Sequence, residues 1–308
     1  MVVNDKDALI GTDHLGWVTK SGFEPFDYAD RETPPHQIAG ATIDGENVAW
    51  VETTSTDLFH SDWRIYAAEM GRRGRTLVAD SAAVYGKRML RWAFGETVPV
   101  VLGSRVYWPA VPPGGDAKDT RVLYDDLDGS AARPRVLEGA LPATNGRRLF
   151  VVRQHLADPS KGDVRIISRT PTGAESVVQR FRLASGQWVT ALAASRTHLA
   201  WVVKESDTRS SLYVEGLTTG KITGIVMHHG GADTMALGVG RNLIAWGNGS
   251  GNGDEDPGEY VYRPRTGALV RLGEQLGHSV AYANGPWIAW AQIKQHGASG
   301  ISRMTVSH

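Results

Sequence analysis

One glycine-rich acidic loop carries the most specific ligand pattern in this sequence. Over residues 248–259, oxygen-bearing side chains stand at alternate positions, with glycine at the sixth position and glutamate at the last. EF-hand loops share this spacing, because alternate oxygens wrap a hard cation such as Ca²⁺. The flanking segments are typical of strands rather than helices, so a flexible acidic loop is the favoured interpretation and a Ca²⁺ site is the alternative. The candidate ligands are Asn248, Ser250, Asn252, Asp254, Asp256 and Glu259.

Histidines and carboxylates form a second candidate set. Imidazole suits proton transfer and metal binding, and two facing carboxylates suit glycoside hydrolysis. The sequence contains no nucleophile elbow and no phosphate loop, so no local motif assigns a reaction, and an ordinary surface position is the favoured interpretation of each histidine. The candidate catalytic residues of an enzyme are His155, His296, Asp62, Glu205 and Asp233, and the candidate ligand-binding histidines are His60, His229 and His278.

An insertion at residues 82–96 combines basic and aromatic side chains. Tyr85, Arg91 and Trp92 are candidates to stack on and pair with an anionic or sugar-like ligand. A helical cap whose aromatic side packs onto the protein is the favoured interpretation of this insertion, and a partner-binding surface is a third.

These candidates must be positioned by a repeated element. Six short segments, each leading from apolar or small residues into an aromatic or β-branched one, recur about every 45–50 residues after a longer first interval. An apolar strand precedes each segment and an alternating strand follows it, which predicts four strands per repeat. The segments are 48–50, 106–108, 149–151, 199–201, 244–246 and 288–290. Five tryptophans at the repeat position are expected to pack between repeats: Trp50, Trp108, Trp201, Trp246 and Trp290.

Residues 42–50 and 211–221 resemble the two halves of a TolB-type, or PD40-like, propeller repeat. The resemblance covers residues 37–308 and implies an all-β fold, a six-bladed β-propeller of four-stranded antiparallel blades. Because the last repeat ends at its third strand, we expect a strand within residues 9–28 to supply the fourth and close the ring. Closure of this kind removes free sheet edges.

The predicted organisation is a single propeller domain over residues 1–308. Residues 1–36 form an N-terminal segment that contains the closing strand. The repeats span approximately 37–80, 97–139, 140–184, 187–229, 233–273 and 278–308. We expect the protein to be a monomer that requires no cofactor, with Ca²⁺ as the one candidate ion.

Composition limits the partners and the chemistry. The chain has 33 basic and 33 acidic residues and a formal net charge of zero, so a nucleic-acid or anionic-membrane partner is not expected. No apolar stretch approaches the roughly 20 residues of a membrane span. The absence of cysteine excludes disulfides, thiolate metal sites and a cysteine nucleophile. The start lacks a signal-peptide pattern, which fits either a cytoplasmic protein or one whose signal was removed.

The connections between second and third strands are predicted to be long, and the opposite turns short. Blade geometry places the long loops on one face, around the mouth of an axial channel, where binding residues concentrate on a rigid scaffold. The favoured function is a binding or interaction module that holds a protein, peptide or glycan there. The alternative is a hydrolase or lyase, acting on a carbohydrate-type substrate, whose His, Asp and Glu residues converge from several blades.

Overall fold

The computed structural model describes residues 2–3, 8–11, 14–19, 22–29, 36–54, 62–70, 72, 74–94, 98–155, 162–228, 237–248, 258–273, 281–284, 287–293 and 299–305. In these residues the fold is almost entirely antiparallel sheet, with one short α-helix, α1 (Ser81–Tyr85), and one 3₁₀ turn, Ala117–Asp119. The described part of the chain contains no helix with the length and hydropathy to cross a bilayer.

Each sheet is a meander in which strands consecutive in sequence are hydrogen-bonded neighbours. The N-terminal sheet contains β1 (Val2–Val3), β2 (Ala8–Gly11), β3 (His14–Thr19) and β4 (Gly22–Tyr28). Blade 1 contains β5 (Gln37–Asp44), β6 (Asn47–Thr53), β7 (Arg64–Glu69) and β8 (Thr76–Asp80). Blade 2 contains β9 (Val100–Leu102), β10 (Arg105–Ala110), β11 (Arg121–Asp126) and β12 (Arg135–Leu137).

The later sheets repeat this order. Blade 3 contains β13 (Ala140–Thr144), β14 (Leu149–Gln154), β15 (Asp163–Arg169) and β16 (Glu175–Arg182). Blade 4 contains β17 (Trp188–Ala194), β18 (His198–Ser206), β19 (Arg209–Gly216) and β20 (Ile222–His228). Blade 5 contains β21 (Leu237–Val239), β22 (Ile244–Asn248), β23 (Gly258–Arg263) and β24 (Ala268–Gly273). The C-terminal sheet contains β25 (Ala281–Asn284), β26 (Trp287–Ile293) and β27 (Ser299–Thr305).

The predicted fold class, a β-propeller of four-stranded antiparallel blades, is confirmed, but the predicted number of six blades is wrong. Among the described residues, five such blades lie between residues 37 and 273, beside the four-stranded N-terminal sheet. The described residues of the last predicted repeat form the three-stranded sheet β25–β27. The sequence pattern counted this repeat as a blade because its segment 288–290 matches the others.

The expected closing strand is not observed among the described residues. Residues of the N-terminal segment pair with one another: Leu9 lies opposite Trp17, and Trp17 lies opposite Glu24. Pairing between neighbours in sequence closes only a short loop, which loses less chain entropy than pairing with the far end of the chain. The N-terminal residues therefore complete a sheet of their own, and β27 pairs with β26 alone in the described fold.

Burial explains why the second strand of each blade has the most apolar sequence. Six of the seven residues of β6 and six of the nine residues of β18 are buried, because neighbouring strands flank both edges and packed layers cover both faces. The fourth strands β16 and β20 are largely exposed and form the outer edges of their sheets. A continuous apolar run therefore marks the second strand, and mixed polarity marks the fourth.

The repeated tryptophans pack between sheets, as predicted. Trp108 of blade 2 is fully buried against Trp63 and Val78 of blade 1, and Trp246 of blade 5 packs against Leu212 of blade 4. Trp50 joins blade 1 to Leu15 of the N-terminal sheet, and Trp201 stacks on Phe181 with ring centroids 5.9 Å apart. The side chain of Trp290 lies outside the described residues.

The chain divides into two compact units. One is formed mainly by Asp7–Ala157 and Val164–Arg180, and it contains blades 1 and 2 and most of blade 3. The other is formed mainly by Phe181–His308, and it contains blades 4 and 5 and the C-terminal sheet.

In each blade we call the end where the second strand connects to the third the upper end, and the opposite end the lower end. At the lower ends, hydrogen bonds run from the turn region of one blade to the next. Asn47 Nδ2 donates to the carbonyl of Gly103 at 3.4 Å, and Arg105 Nη1 donates to the carbonyl of Pro171 at 3.0 Å. Thr197 Oγ1 donates to the carbonyl of Arg241 at 2.5 Å. These hydrogen bonds therefore connect the lower ends of neighbouring blades.

Gly129 of blade 2 lies close to the backbone of blade 1. Its φ is +63°, and a Cβ there would lie 2.7 Å from the carbonyl oxygen of Leu77. Gly129→Ala is therefore expected to lower the free energy of unfolding by about 2–4 kcal/mol, which combines the left-handed backbone penalty with the clash. Gly45 has φ +62° and open space around it, so Gly45→Ala is the matched control with a loss of about 1–2 kcal/mol. Equal losses in urea unfolding would contradict the proposed clash.

Candidate ligand-binding site at the upper ends of blades 1 and 2

The segment that follows blade 1 is fixed to the blade's upper end. Asp80 caps α1, accepting hydrogen bonds from the backbone N–H groups of Ala82 at 2.6 Å and Ala83 at 3.2 Å. The backbone of Ser81 donates to the carbonyl of Trp63 at 2.9 Å, and its hydroxyl accepts from the Trp63 backbone at 3.2 Å. Residues 81–94 therefore begin from a rigid point of the sheet, and we call them the cap.

Aromatic rings hold the inner side of the cap. Tyr85 meets Trp63 edge-to-face at 6.2 Å, and Trp63 meets Trp108 in the same manner at 5.6 Å. Burial raises the pKa of Tyr85, so its phenol stays neutral at physiological pH. Leu90 is buried in the same core. The insertion is therefore helical only over Ser81–Tyr85, with Tyr85 packed against Trp63, and its interpretation as a helical cap stays a prediction for the remaining residues.

The outer side of the cap is cationic and partly apolar. Lys87, Arg88 and Arg91 are exposed, and Met89 exposes 71% of its surface. These four residues are the cap surface. Residues 81–94 contain no Asp or Glu. Among the described residues, the nearby ion pairs join Arg64 to Asp80 and Lys118 to Asp116, and the three cations have no carboxylate partner.

The connection 111–120 of blade 2 braces the cap from the side. The backbone N–H of Phe94 donates to Thr120 Oγ1 at 2.8 Å, and that hydroxyl donates to the carbonyl of Ala117 at 2.7 Å. The two acidic residues of this connection serve its own turn, since Asp119 accepts from the backbone of Asp116 and Asp116 accepts from the backbone of Lys118. The loop therefore supports the cap while its carboxylates remain hydrogen-bonded internally.

Two candidate catalytic carboxylates are described, and both are held by neighbours. Asp62 accepts hydrogen bonds from the backbone N–H of Thr54, at 2.8 Å, and from its hydroxyl. This joins the two ends of the connection between β6 and β7. Glu205 accepts from Ser211 Oγ at 2.6 Å and forms an ion pair with Arg209 at 2.7 Å. Both carboxylates therefore have structural partners, and their catalytic role stays a prediction.

The connection between the second and third strands of blade 4, which the sequence pattern predicts to be long over residues 204–210, is short. Strand β18 continues to Ser206 and β19 begins at Arg209, so a tight hairpin replaces the loop. The alternating polarity of these residues allows strand pairing, with Val203 opposite Ser211. At this hairpin, Lys204 lies 5.7 Å from the ring centroid of Trp188, a cation–aromatic contact that the sequence did not single out.

The remaining candidates are dispersed or lie outside the described residues. His155 is exposed just after β14, Arg91 is exposed, and Trp92 is half-buried in the cap. Glu259 is fully buried within β23, and the backbone of Asn248 ends β22. His60, His229, His278, His296, Asp233, Ser250, Asn252, Asp254 and Asp256 lie outside the described residues. In the described part of the chain, no three His, Asp or Glu side chains are grouped to hold a metal ion.

A buried ion network in blade 1 was missed by sequence reasoning. Glu52 is fully buried, and its Oε1 accepts from Trp50 Nε1 at 3.2 Å and from Arg75 Nη1 at 2.9 Å. Its Oε2 lies 3.5 Å from His36 Nδ1, and Arg75 also lies 3.5 Å from Asp27. The signal that sequence offers is a lone acid in the otherwise apolar strand β6. The network orders the upper end of β6.

Asp125 is a second buried carboxyl group. Its Oδ1 accepts from the backbone of Asp126 at 2.7 Å, and its Oδ2 has no hydrogen-bond partner among the described residues. Burial raises the pKa of Asp125, because the carboxylate loses its hydration. Ionised Asp125 therefore opposes folding.

Asp125→Asn is expected to raise the free energy of unfolding at neutral pH by on the order of 1 kcal/mol. Because the folded-state pKa lies above the ordinary value of 3.8, wild-type stability falls as the pH rises through that folded-state pKa. The neutral amide does not respond, so the difference between the two proteins should vanish below pH 3.8. Urea unfolding at both pH values measures it, and a less stable variant at neutral pH would contradict the argument.

A shallow pocket of about 460 Å³ lies at the lower ends of blades 1 and 2. Its polar lining is already engaged. Asp126 pairs with Arg105 at 3.1 Å and with Arg135 at 2.8 Å. Asp128 accepts from the backbone of Ser130, and these hydrogen bonds lower its pKa. The acidic side chains of the pocket are therefore already hydrogen-bonded or ion-paired.

Comparison with known proteins gives a fold and no family, since no family model and no characterised protein sequence matches the chain. Puromycin hydrolase is 18% identical over 97% of this chain and 50% of that chain, with a TM-score of 0.58. The β-propeller domain of the trilobed protease from Pyrococcus furiosus is 12% identical over 89% of this chain and 85% of that chain, with a TM-score of 0.51. TolB from Acinetobacter baumannii is 12% identical over 84% of this chain and 66% of that chain, with a TM-score of 0.45.

At these identities the first two alignments show the fold alone, and the trilobed protease domain is a β-propeller. The β-propeller fold that the repeat resemblance implied is confirmed at that level. The chain spans about half the length of the puromycin hydrolase that it matches.

Proposed function

We propose that this protein is a binding module that holds a peptide or protein ligand at the upper ends of its blades. One observation carries the proposal, namely the contrast between the two ends within the unit that contains blades 1 and 2. At the lower ends, Asn47 and Arg105 make turn-to-turn hydrogen bonds and the exposed cations are dispersed over separate turns. The cap instead groups three cations, which have no carboxylate partner among the described residues, around an exposed methionine. Binding residues concentrate on connecting segments that a rigid scaffold positions, and the cap is such a segment.

The similar structures favour a peptide over a glycan as the ligand. Puromycin hydrolase and the trilobed protease are both hydrolases, and in the latter the matched part is a propeller domain. Protein and peptide ligands therefore rank above glycans in our proposal.

The absence of cysteine from the chain allows a direct test. Single cysteines at Ala117 and Thr208 would place a fluorophore at upper ends, and cysteines at Arg147 and Lys221 would place it at lower ends. All four positions are exposed. The probe is a mixed peptide library, first screened by thermal shift, because a ligand that binds the native state raises its apparent stability.

We expect peptides that raise the melting temperature to change the fluorescence of at least one upper label and to leave the lower labels unchanged. Signals confined to the lower labels would contradict the proposal. So would a library in which no peptide, of any charge, stabilises the protein.

The alternative, a hydrolase, is favoured by one observation: similar structures include puromycin hydrolase. Incubation of the full chain with puromycin and with the peptide library, followed by mass spectrometry, separates the two functions. Intact compounds support the binding module, and cleavage that persists through purification would replace it with the hydrolase.

A further inference from the structure

We infer that the cap surface, Lys87, Arg88, Met89 and Arg91, is a docking site for an acidic peptide segment that carries an apolar side chain. This inference rests on the proposed binding function and names the chemistry of the ligand. It begins from charge. Three cations stand within five consecutive residues, and the cap holds no acidic residue to neutralise them.

Within the described part of the chain, the neighbouring acids Asp80 and Asp116 are engaged elsewhere. Asp80 caps α1 and pairs with Arg64, and Asp116 pairs with Lys118. A ligand of opposite charge would therefore complement this surface. Arginine adds specificity for carboxylates, because its planar guanidinium donates two parallel hydrogen bonds to one carboxylate.

The apolar part of the ligand follows from Met89. It is the most exposed large apolar side chain of the described residues, at 71%, and it stands among the cations. A thioether on a flexible chain adapts to different apolar shapes, which suits recognition of a peptide side chain. Leu90, the next residue, is buried in the core and anchors the segment.

The cap is also preorganised. Its start is fixed by the Asp80 cap and the Ser81–Trp63 hydrogen bonds, and its end is fixed by the hydrogen bond from Phe94 to Thr120. A surface that is already ordered loses little conformational entropy when a ligand binds. The short length of the cationic segment and the zero net charge of the chain favour a peptide over nucleic acid or an anionic membrane.

The test uses fluorescently labelled peptides in which acidic residues flank a central leucine, with a matched peptide in which lysines replace the acids. Fluorescence anisotropy of the full chain should show binding of the acidic peptide and about tenfold weaker binding by the triple variant K87E/R88E/R91E. Met89→Ser should weaken binding of the leucine peptide and leave a peptide with serine at that position unaffected. Because exposed charges are screened, affinity should also fall as salt rises toward 1 M.

The control variant R133E/R147E/K221E makes the same change in net charge at exposed lower-end positions. It should bind the acidic peptide within about threefold of the wild type. Circular dichroism and melting temperature confirm that both triple variants are folded. If the two triple variants lose affinity equally, or if the lysine peptide binds better, the inference is overturned.

Failure of this inference is distinguishable from failure of the proposed function. A peptide that binds wild type and K87E/R88E/R91E equally, while still changing the upper-end labels, overturns the cap surface and keeps the binding module. Preferential binding of single-stranded DNA or of phosphatidylserine vesicles to the cap surface would overturn the peptide assignment. Absence of binding by any peptide overturns both.

Discussion

Replacing Trp108 with alanine is expected to lower the free energy of unfolding by about 3–5 kcal/mol. The indole is fully buried between blades 1 and 2 and meets Trp63 at 5.6 Å. Removing it leaves a cavity that the sheets cannot close, because the strands on both sides are fixed by their ladders. Urea unfolding followed by far-UV circular dichroism measures the loss.

Two variants sharpen this prediction. Trp108 Nε1 has no hydrogen-bond partner among the described residues, so Trp108→Phe removes only ring volume and should lose about 1–2 kcal/mol. Met89→Ala, at an exposed position, should change stability by less than about 0.5 kcal/mol. A Trp108→Ala protein as stable as Met89→Ala would show that the interface between blades 1 and 2 is not the packed layer described here.

Glu52→Ala is expected to lower the free energy of unfolding by about 3–5 kcal/mol. Removing the buried carboxylate leaves Arg75 and His36 without their shared partner and leaves Trp50 Nε1 without its acceptor. The loss is large because Glu52 is the acceptor for the buried Trp50 Nε1 and lies beside the buried His36, whereas Arg75 keeps Asp27 at 3.5 Å.

The exposed pair of Glu69 and Arg72, at 2.8 Å, provides the control for Glu52→Ala. Glu69→Ala should lose less than about 1 kcal/mol, since solvent screens an exposed ion pair. Glu52→Gln keeps the size of the side chain and an acceptor oxygen, so it should fall between the two. Equal stability of Glu52→Ala and Glu69→Ala in urea unfolding would argue against the buried network.

Repeats could be found in this sequence because a physical constraint recurs with them. Trp108 and Trp246 occupy the same place in their blades, and each fills the layer between two sheets. That demand for one large apolar residue appears as a period in the sequence. Strand alternation and short turns then predict the remaining strands of each blade.

The number of blades could not be predicted from the repeats in the same way. A repeat pattern does not report which segment supplies the last strand, and residues such as Leu9 and Trp17 have the same apolar character whether they pair locally or across a ring. Here they pair locally. Whether a ring closes depends on which of several possible strand pairings has the lower free energy. The sequence of one segment does not give the free energies of the competing pairings.

The candidate site was predictable in outline. The mixture of basic and aromatic residues at 82–96 indicated a cap, and the structure separates it into an inner side with Tyr85 and an outer side with Arg91. The exposure of Met89 was not predicted, because the sequence alone does not distinguish an exposed methionine from a buried one. Glu52 gave only a weak signal, because its partner Arg75 lies two strands away in the blade.

The hydrogen bonds at the lower ends have a consequence for how such a chain changes over generations. In each one a side chain of one blade donates to a main-chain carbonyl of another: Gly103, Pro171 or Arg241. Every residue type has a main-chain carbonyl, so the sequence of the accepting turn can change without loss of the acceptor. The donors also differ, since they are Asn47, Arg105 and Thr197. The sequence of a blade can therefore diverge extensively while its lower end keeps a hydrogen bond to the neighbouring blade.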